Sequence, residues 1–333
     1  MKNNYLKAFF ALMVLVLSAC TESEQKSAIA MPYAESDIPL EVHKVENAPV
    51  YYVIGQSGVP GAENEGMTSN AGFVVTEKGV VVYDALGTPS LGYRLLEAIR
   101  KVTDKPISIV VAGHYHADHI YGLQAFREHS SATIWAEKSA YEYINSNDSQ
   151  LRLDQRRDAL FPWVDENTFL VKPDETFSGN KVFDMGDTKI ELIHAGPAHS
   201  PDDLIMVVHQ YGVLFSGDLV YGGRLPFLGG GDVKTKGWLA GLKYLQTLKP
   251  APRFVIPGHG TASDNPIEAI AFTREYIEFL RTVMANEVEE LNTFDDAYDR
   301  IDWSKYKDIP TFEAANRRNA YQVFLEIEGE LMN

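Results

Sequence analysis

Residues 112–122 read AGHYHADHIYG, and His114, His116, Asp118 and His119 fall within six positions of that stretch. Each of these side chains can donate a lone pair to a metal ion. Neutral imidazole and carboxylate are natural ligands for Zn²⁺ and other borderline cations. His114 and His116, two apart in a loop, can turn toward one ion, and Asp118 and His119 can reach a second beside it. Gly113 lets the chain turn out of the preceding strand. Four donors do not complete two coordination spheres. The rest are offered at other strand ends: His199 in HAGPAHSPDD, Asp218 in LFSGDLV and His259 in FVIPGHG. Five of the nine histidines thus fall into one arrangement, which sets them apart from ordinary core and surface histidines. The other four, His43, His129, His194 and His209, are expected to pack or to sit near element ends rather than bind metal.

The elements that must position these donors follow from hydrophobic periodicity. VYYVIG (50–55), AGFVVTE (71–77) and GVVVYDA (79–85) read as strands, and LGYRLLEAIRKV (91–102) as a helix. ISIVVA (107–112) is a strand buried on both faces, and the histidine loop follows it directly. Gly122–Glu128 reads as a short helix and ATIWA (132–136) as a strand, while 139–165 is polar and partly helical. Further strands are expected at 168–171, 181–185, 188–195, 204–209, 212–216 and 253–258, with helices at 236–248, 266–291 and 316–331. These make two β-rich halves, each with helices, without a regular βαβ alternation. Ligand loops at strand ends are the usual place for α/β chemistry.

The set His114-x-His116-x-Asp118-His119, then His199, Asp218 and His259, resembles the metallo-β-lactamase superfamily over roughly residues 45–262. The resemblance implies an α/β fold, the four-layer αββα sandwich, here with a C-terminal helical extension from about residue 265. It implies that His114, His116 and His199 hold a first metal, that Asp118, His119 and His259 hold a second, and that Asp218 bridges them. Asp84, at the end of its strand, matches an aspartate that braces the histidine loop. The natural cofactor is two Zn²⁺, with iron or manganese open alternatives. GDLVYGGRLPFLGGGD (217–232) and NRRNAYQVFLEIEGE (316–330) further resemble the zinc metallohydrolases of sulfur-oxidation and quinoprotein-relay gene clusters.

Two close metals lower the pKa of a shared water toward neutrality and stabilise the oxyanion of an attacked carbonyl. The expected activity is hydrolysis of an ester, thioester or amide of a small molecule by metal-bound hydroxide, with Asp118 both ligand and catalytic group. A β-lactamase and an iron-dependent sulfur-compound oxidoreductase are the alternatives. Candidate pocket residues are Tyr115, Tyr221, Arg224 and Phe227, Arg224 as a clamp for a substrate carboxylate. Arg317 and Arg318 are expected to be solvated or ion-paired, and Tyr321 and Phe324 to belong to the core.

A formal charge of −16 makes a nucleic-acid partner or a basic membrane-binding face a poor expectation. Residues 1–19 carry Lys2, Lys7 and an apolar run from Ala8 to Leu17, too short to span a bilayer and suited to a secretory signal. Leu17-Ser18-Ala19-Cys20 resembles the bacterial lipobox, and Cys20 is the only cysteine. The expectations are a signal peptide over 1–19, lipidation of Cys20, a flexible tether to residue 37 and one catalytic domain over 38–333. Thr21 rather than Asp favours, by resemblance, the outer membrane facing the periplasm. Beyond Cys20 no thiol is left for a disulfide or a catalytic role.

Overall fold

The computed structural model describes residues 31–228 and 232–332. The signal peptide, the lipobox and Cys20 lie outside the described residues. All elements belong to the unit that begins at Pro32.

A first sheet of seven strands runs in order β1 (His43–Lys44), β2 (Val50–Val53), β3 (Ala71–Thr76), β4 (Gly79–Tyr83), β5 (Ile107–Val111), β6 (Thr133–Glu137) and β7 (Glu175–Phe177). Its first four strands are antiparallel neighbours, and β4 to β7 are parallel. The parallel half requires crossovers. They are α1 (Pro89–Val102), the pair α2 (Ala117–Ile120) and α3 (Leu123–His129), and the pair α4 (Ala140–Ile144) and α5 (Asn147–Leu160). A βαβ run is therefore present from β4 to β7, while the chain as a whole follows no regular βαβ alternation. The 168–171 segment is not a strand; the edge strand lies at β7 instead. Phe169 is exposed and Thr168 buried, so the β-rich composition there serves a loop.

The second sheet has five strands in order β12 (Phe254–Gly260), β11 (Val213–Gly222), β10 (Leu204–Val208), β9 (Lys189–His194) and β8 (Lys181–Asp184). Here α6 (Thr235–Leu245), α7 (Pro266–Glu289), α8 (Phe294–Arg300) and α9 (Phe312–Met332) complete the chain.

Period-two alternation sorts the strand residues into layers. Val74, Val81, Ile109 and Val111 meet Leu192, Met206, Val208 and Phe215 between the sheets. Their neighbours Phe73, Val80, Val82 and Val110 turn the other way, onto Leu95, Ile99 and Phe126 of α1 and α3. Ile205, Val207, Leu214 and Leu219 likewise face Trp238, Ile277, Leu280 and Phe324 of α6, α7 and α9. Three apolar layers between four tiers make the αββα sandwich, with the C-terminal helices covering the second sheet. Tyr321 is 46% exposed, so of the two aromatic residues assigned to the core only Phe324 is there.

From Tyr33 on, the segment read as a tether is bonded to the body of the domain. Ser90 Oγ donates to Ala34 O, Trp163 Nε1 to Glu35 O and the Asp37 N–H to Glu65 Oε1. Among the described residues no helix is long and apolar enough to cross a membrane.

Candidate metal centre

The donors converge at one edge of the two sheets. β5 ends at Val111 and the chain turns through Gly113 to His114 and His116. Asp118 and His119 are not in the loop but on the single turn of α2, with His116 at its N-cap. Asp218 and His259 are not beyond their strands but within β11 and β12. β11 slips in register against β12 on either side of Gly217, whose φ is +49°, a left-handed conformation open to glycine. That bulge turns the Asp218 carboxylate out of the ladder toward the histidines. His199 stands in the β9–β10 loop.

Three ligand groups result: His114, His116 and His199; His114, His119 and Asp218; and Asp118, His119 and His259, each with its ligand atoms within 4.8 Å of one another. Asp218 Oδ2 lies 3.2 Å from Nε2 of both His199 and His259, which is the bridging position. Its Oδ1 lies 3.3 Å from His119 Nε2. His116 Nδ1 and His199 Nε2 face each other at 2.9 Å. Asp118 Oδ2 is 3.5 Å from His259 Nε2.

Contacts on the far side of the rings settle which nitrogen points inward. His119 Nδ1 meets Asp84 Oδ2 at 2.8 Å and His259 Nδ1 meets the Thr68 carbonyl at 2.7 Å. Each Nδ1 is thus tied to an acceptor behind its ring, and each Nε2 is the nitrogen directed into the cluster. His114 Nε2, His119 Nε2 and Asp218 Oδ1 are buried and have no hydrogen-bond partner. Buried polar atoms are rarely left so. The donor set, five imidazoles and two carboxylates without a thiol, fits two divalent cations.

The electrostatics point the same way. Burial pushes the Asp218 carboxyl up, but His259, His119, His199 and His114 outweigh it and hold it well below the usual range. Asp118 behaves alike, with His119 and His259 overriding burial. Burial drives His199 down to about 3 and His114 well below its ordinary value. His119 goes the other way: burial lowers it, but Asp218, Asp84 and Asp118 together hold it well above. Three carboxylates around one imidazole form a field for positive charge.

The profile of the metallo-beta-lactamase superfamily matches residues 65–259, more than half of the chain. The chain belongs to the metallo-β-lactamase superfamily. Within it, the type 2 metallo-beta-lactamase of Bacillus sp. (strain 170) is 28% identical over 208 residues, 60% of this chain and 70% of that one. The linear primary-alkylsulfatase of Pseudomonas sp. (strain ATCC 19151) is 24% identical over 236 residues, 61% of this chain and 44% of its own length. Among solved structures, a metallo-beta-lactamase from Pontibacter korlensis superposes with TM-score 0.55 at 22% identity, covering 72% of this chain and 99% of that one. The inverting sec-alkylsulfatase Pisa1 from Pseudomonas sp. reaches TM-score 0.68 at 17% identity, over 88% of this chain and 52% of its own. At these identities the superpositions speak for the fold.

The pocket candidates separate. Tyr115 belongs to the core under α2 and its hydroxyl donates to Val171 O at 3.2 Å, so it packs rather than lines a pocket. Tyr221 stacks on His259, 5.1 Å between centroids, and donates to Asp218 Oδ2 at 2.6 Å. Arg224 is 1% exposed, its guanidinium over the rings of Tyr221 and Phe227, and in this conformation presents no donor to solvent. Phe227 is half-buried above it.

Several supports escaped the sequence reading. Thr68 Oγ1 donates to Asp118 Oδ2 at 3.2 Å, and Ser69 Oγ to Asp118 O. Asn70 ties this segment to β12 through Pro257 O and Gly260 O. Asp202 Oδ2 accepts the Tyr115 N–H at 2.9 Å, joining the first histidine turn to the His199 loop. These are short polar residues in a loop-rich stretch and carry no periodic signal. The histidines set aside stay outside the centre: His209 pairs with Glu191 at 2.8 Å and His194 bonds Pro201 O, while Arg317 pairs with Asp295.

Proposed function

We propose that this superfamily hydrolase is a two-zinc enzyme that cleaves an ester, thioester or amide bond of a small molecule. The observation that carries the reading is the convergence of seven donors from five segments, with Asp218 Oδ2 equidistant, at 3.2 Å, from His199 and His259. His114, His116 and His199 would hold one ion and Asp118, His119 and His259 the other, with Asp218 shared. Bound there, two zinc ions supply Lewis-acid activation of water and of the scissile carbonyl.

The chain's own residues do the rest. Asp118 is the more open of the two ligand carboxylates, 18% exposed against 3% for Asp218. It is placed to take a proton from an attacking water, while Thr68 Oγ1 fixes its Oδ2. Tyr221 donates to the shared oxygen of Asp218, and the Thr68 carbonyl and Asp84 hold the His259 and His119 rings. The donors are thus set before substrate arrives. Asp118→Ala is expected to lower turnover of 4-nitrophenyl acetate by orders of magnitude in zinc-loaded protein. Unchanged turnover would remove Asp118 from the reaction.

Lactam hydrolysis is the second reading, favoured by the similarity to the Bacillus type 2 metallo-beta-lactamase. Nitrocefin turnover by zinc-loaded protein separates the two. The lipobox-like Leu17-Ser18-Ala19-Cys20 supports a lipid-anchored enzyme of the cell envelope; palmitate labelling, lost in Cys20→Ala, tests it.

A further inference from the structure

α5 packs against α2, the turn that carries Asp118 and His119. Its buried stripe is Ser149, Leu153 and Leu160. Arg152 and Arg156 stand one turn apart along one flank of that stripe, Arg152 exposed and Arg156 half-buried. Neither has a hydrogen-bond or ion-pair partner among the described residues. This is unusual in a chain with 46 acidic and 30 basic residues. Arg127, Arg281, Arg300 and Arg317 each pair with a carboxylate. On α5 itself Arg157 bonds Asp154, Asp165 O and Thr168 O. Asp148, one turn before Arg152, makes no ion pair with it.

Arg156 falls between Leu153 and Leu160 along the buried side of α5, and Arg152 one turn before it, on the helix that packs against α2. Tyr121, at the C-cap of α2, has a buried hydroxyl without a hydrogen-bond partner. Like charges one turn apart repel, and two guanidinium groups without an acceptor make a place for an anion. Arg224, the other cation near the centre, is sealed beneath Phe227 and Tyr221 and does not compete for that role.

We propose that Arg152 and Arg156 form the anion-recognising edge of the substrate site, so that the substrate carries a carboxylate, sulfonate or sulfate group remote from the scissile bond. The inference rests on the reading of the metal centre as the active site, and it fixes which end of the substrate faces α5. A substrate seated this way lays its anionic end over α2 and its reacting carbonyl over Asp218.

The test is calorimetric binding of hexanesulfonate, an anion that ligates metals poorly, to the full zinc-loaded chain, with 1-hexanol as the uncharged control. Wild-type protein is expected to bind hexanesulfonate, and the R152Q/R156Q variant to bind it about tenfold or more weakly. The R152K/R156K variant retains the charge and should stay within a few-fold of wild type, which separates lost charge from lost fold. Equal binding by wild type and R152Q/R156Q, or wild-type binding no better than that of 1-hexanol, would overturn the proposal. Turnover is not read, so failure here is distinct from failure of the hydrolase reading, which would show as absent ester turnover in metal-loaded wild type.

Discussion

Asp84 Oδ2 lies 2.8 Å from Nδ1 of His119, and the other oxygen of the same carboxylate accepts the Gly113 N–H at 2.6 Å. One buried acid at the end of β4 thus orients a ligand ring and pins the start of the histidine turn. It does so with φ at +61°, a conformation that costs a non-glycine residue about 1 kcal/mol or more. Asp84→Ala is expected to weaken binding of the ion on the Asp118, His119 and His259 side by about 10–100-fold. The ion held by His114, His116 and His199 should change far less. Zinc titration against a competing chelator resolves the two steps.

Gly258 leaves room for the shared ligand. A Cβ there would lie 1.9 Å from Asp218 Oδ1, so Gly258→Ala must displace the carboxylate. Displacement by about 1 Å is enough for a loss of order 100-fold in turnover. Elemental analysis of the purified variant should find fewer ions per chain than wild type, with far-UV circular dichroism unchanged.

Much of the centre was legible in the sequence because four donors crowd into residues 114–119 and the remaining three recur at strand ends beside glycine or proline. The seven donors were named by type, spacing and resemblance, and all seven meet. Their local settings were less legible. Asp218 sits within a strand because Gly217 bulges it, and Asp118 and His119 ride a four-residue helix too short to show periodicity. The 168–171 segment read as a strand on composition, but tertiary packing placed the edge strand at β7. Thr68, Asn70 and Asp202 were invisible because their roles come from contacts across long stretches of chain.

Tyr221 offers a test of support without ligation. Its hydroxyl donates to Asp218 Oδ2 at 2.6 Å, and burial with the neighbouring Asp218 charge keeps the phenol protonated. Tyr221→Phe removes a hydrogen bond to a charged group, worth about 1.5–3 kcal/mol. Stability is expected to fall by an amount in that range and kcat by about tenfold, with KM little changed. Wild-type kcat in the variant would show that Asp218 needs no such brace.

Asp202 sets a pH dependence of stability in metal-free protein. Burial raises its carboxyl to about 6, above its ordinary value of about 4. The folded state then binds more protons than the unfolded one between those values, so stability falls as pH rises through that window. Asn in its place can still accept the Tyr115 N–H. Asp202→Asn should therefore be more stable relative to wild type at pH 7 than at pH 4, by about 3 kcal/mol at most. Urea unfolding at the two pH values measures the difference.

Removing the metals should expose the repulsion and unmet donors of the cluster. Ions that bind only the folded state contribute about 4 kcal/mol when present at a thousand times Kd. The melting temperature is expected to drop on treatment with a chelator and to recover with zinc, and Asp218→Ala should show a smaller response to both.

The most direct measurement is hydrolysis of a 4-nitrophenyl ester by zinc-loaded protein beside its Asp118→Asn variant, both shown to hold two ions per chain. The account predicts turnover in wild type that disappears with a chelator and falls by orders of magnitude in the variant. Equal rates in the two proteins, or no turnover by wild type against esters, thioesters and lactams alike, would contradict it.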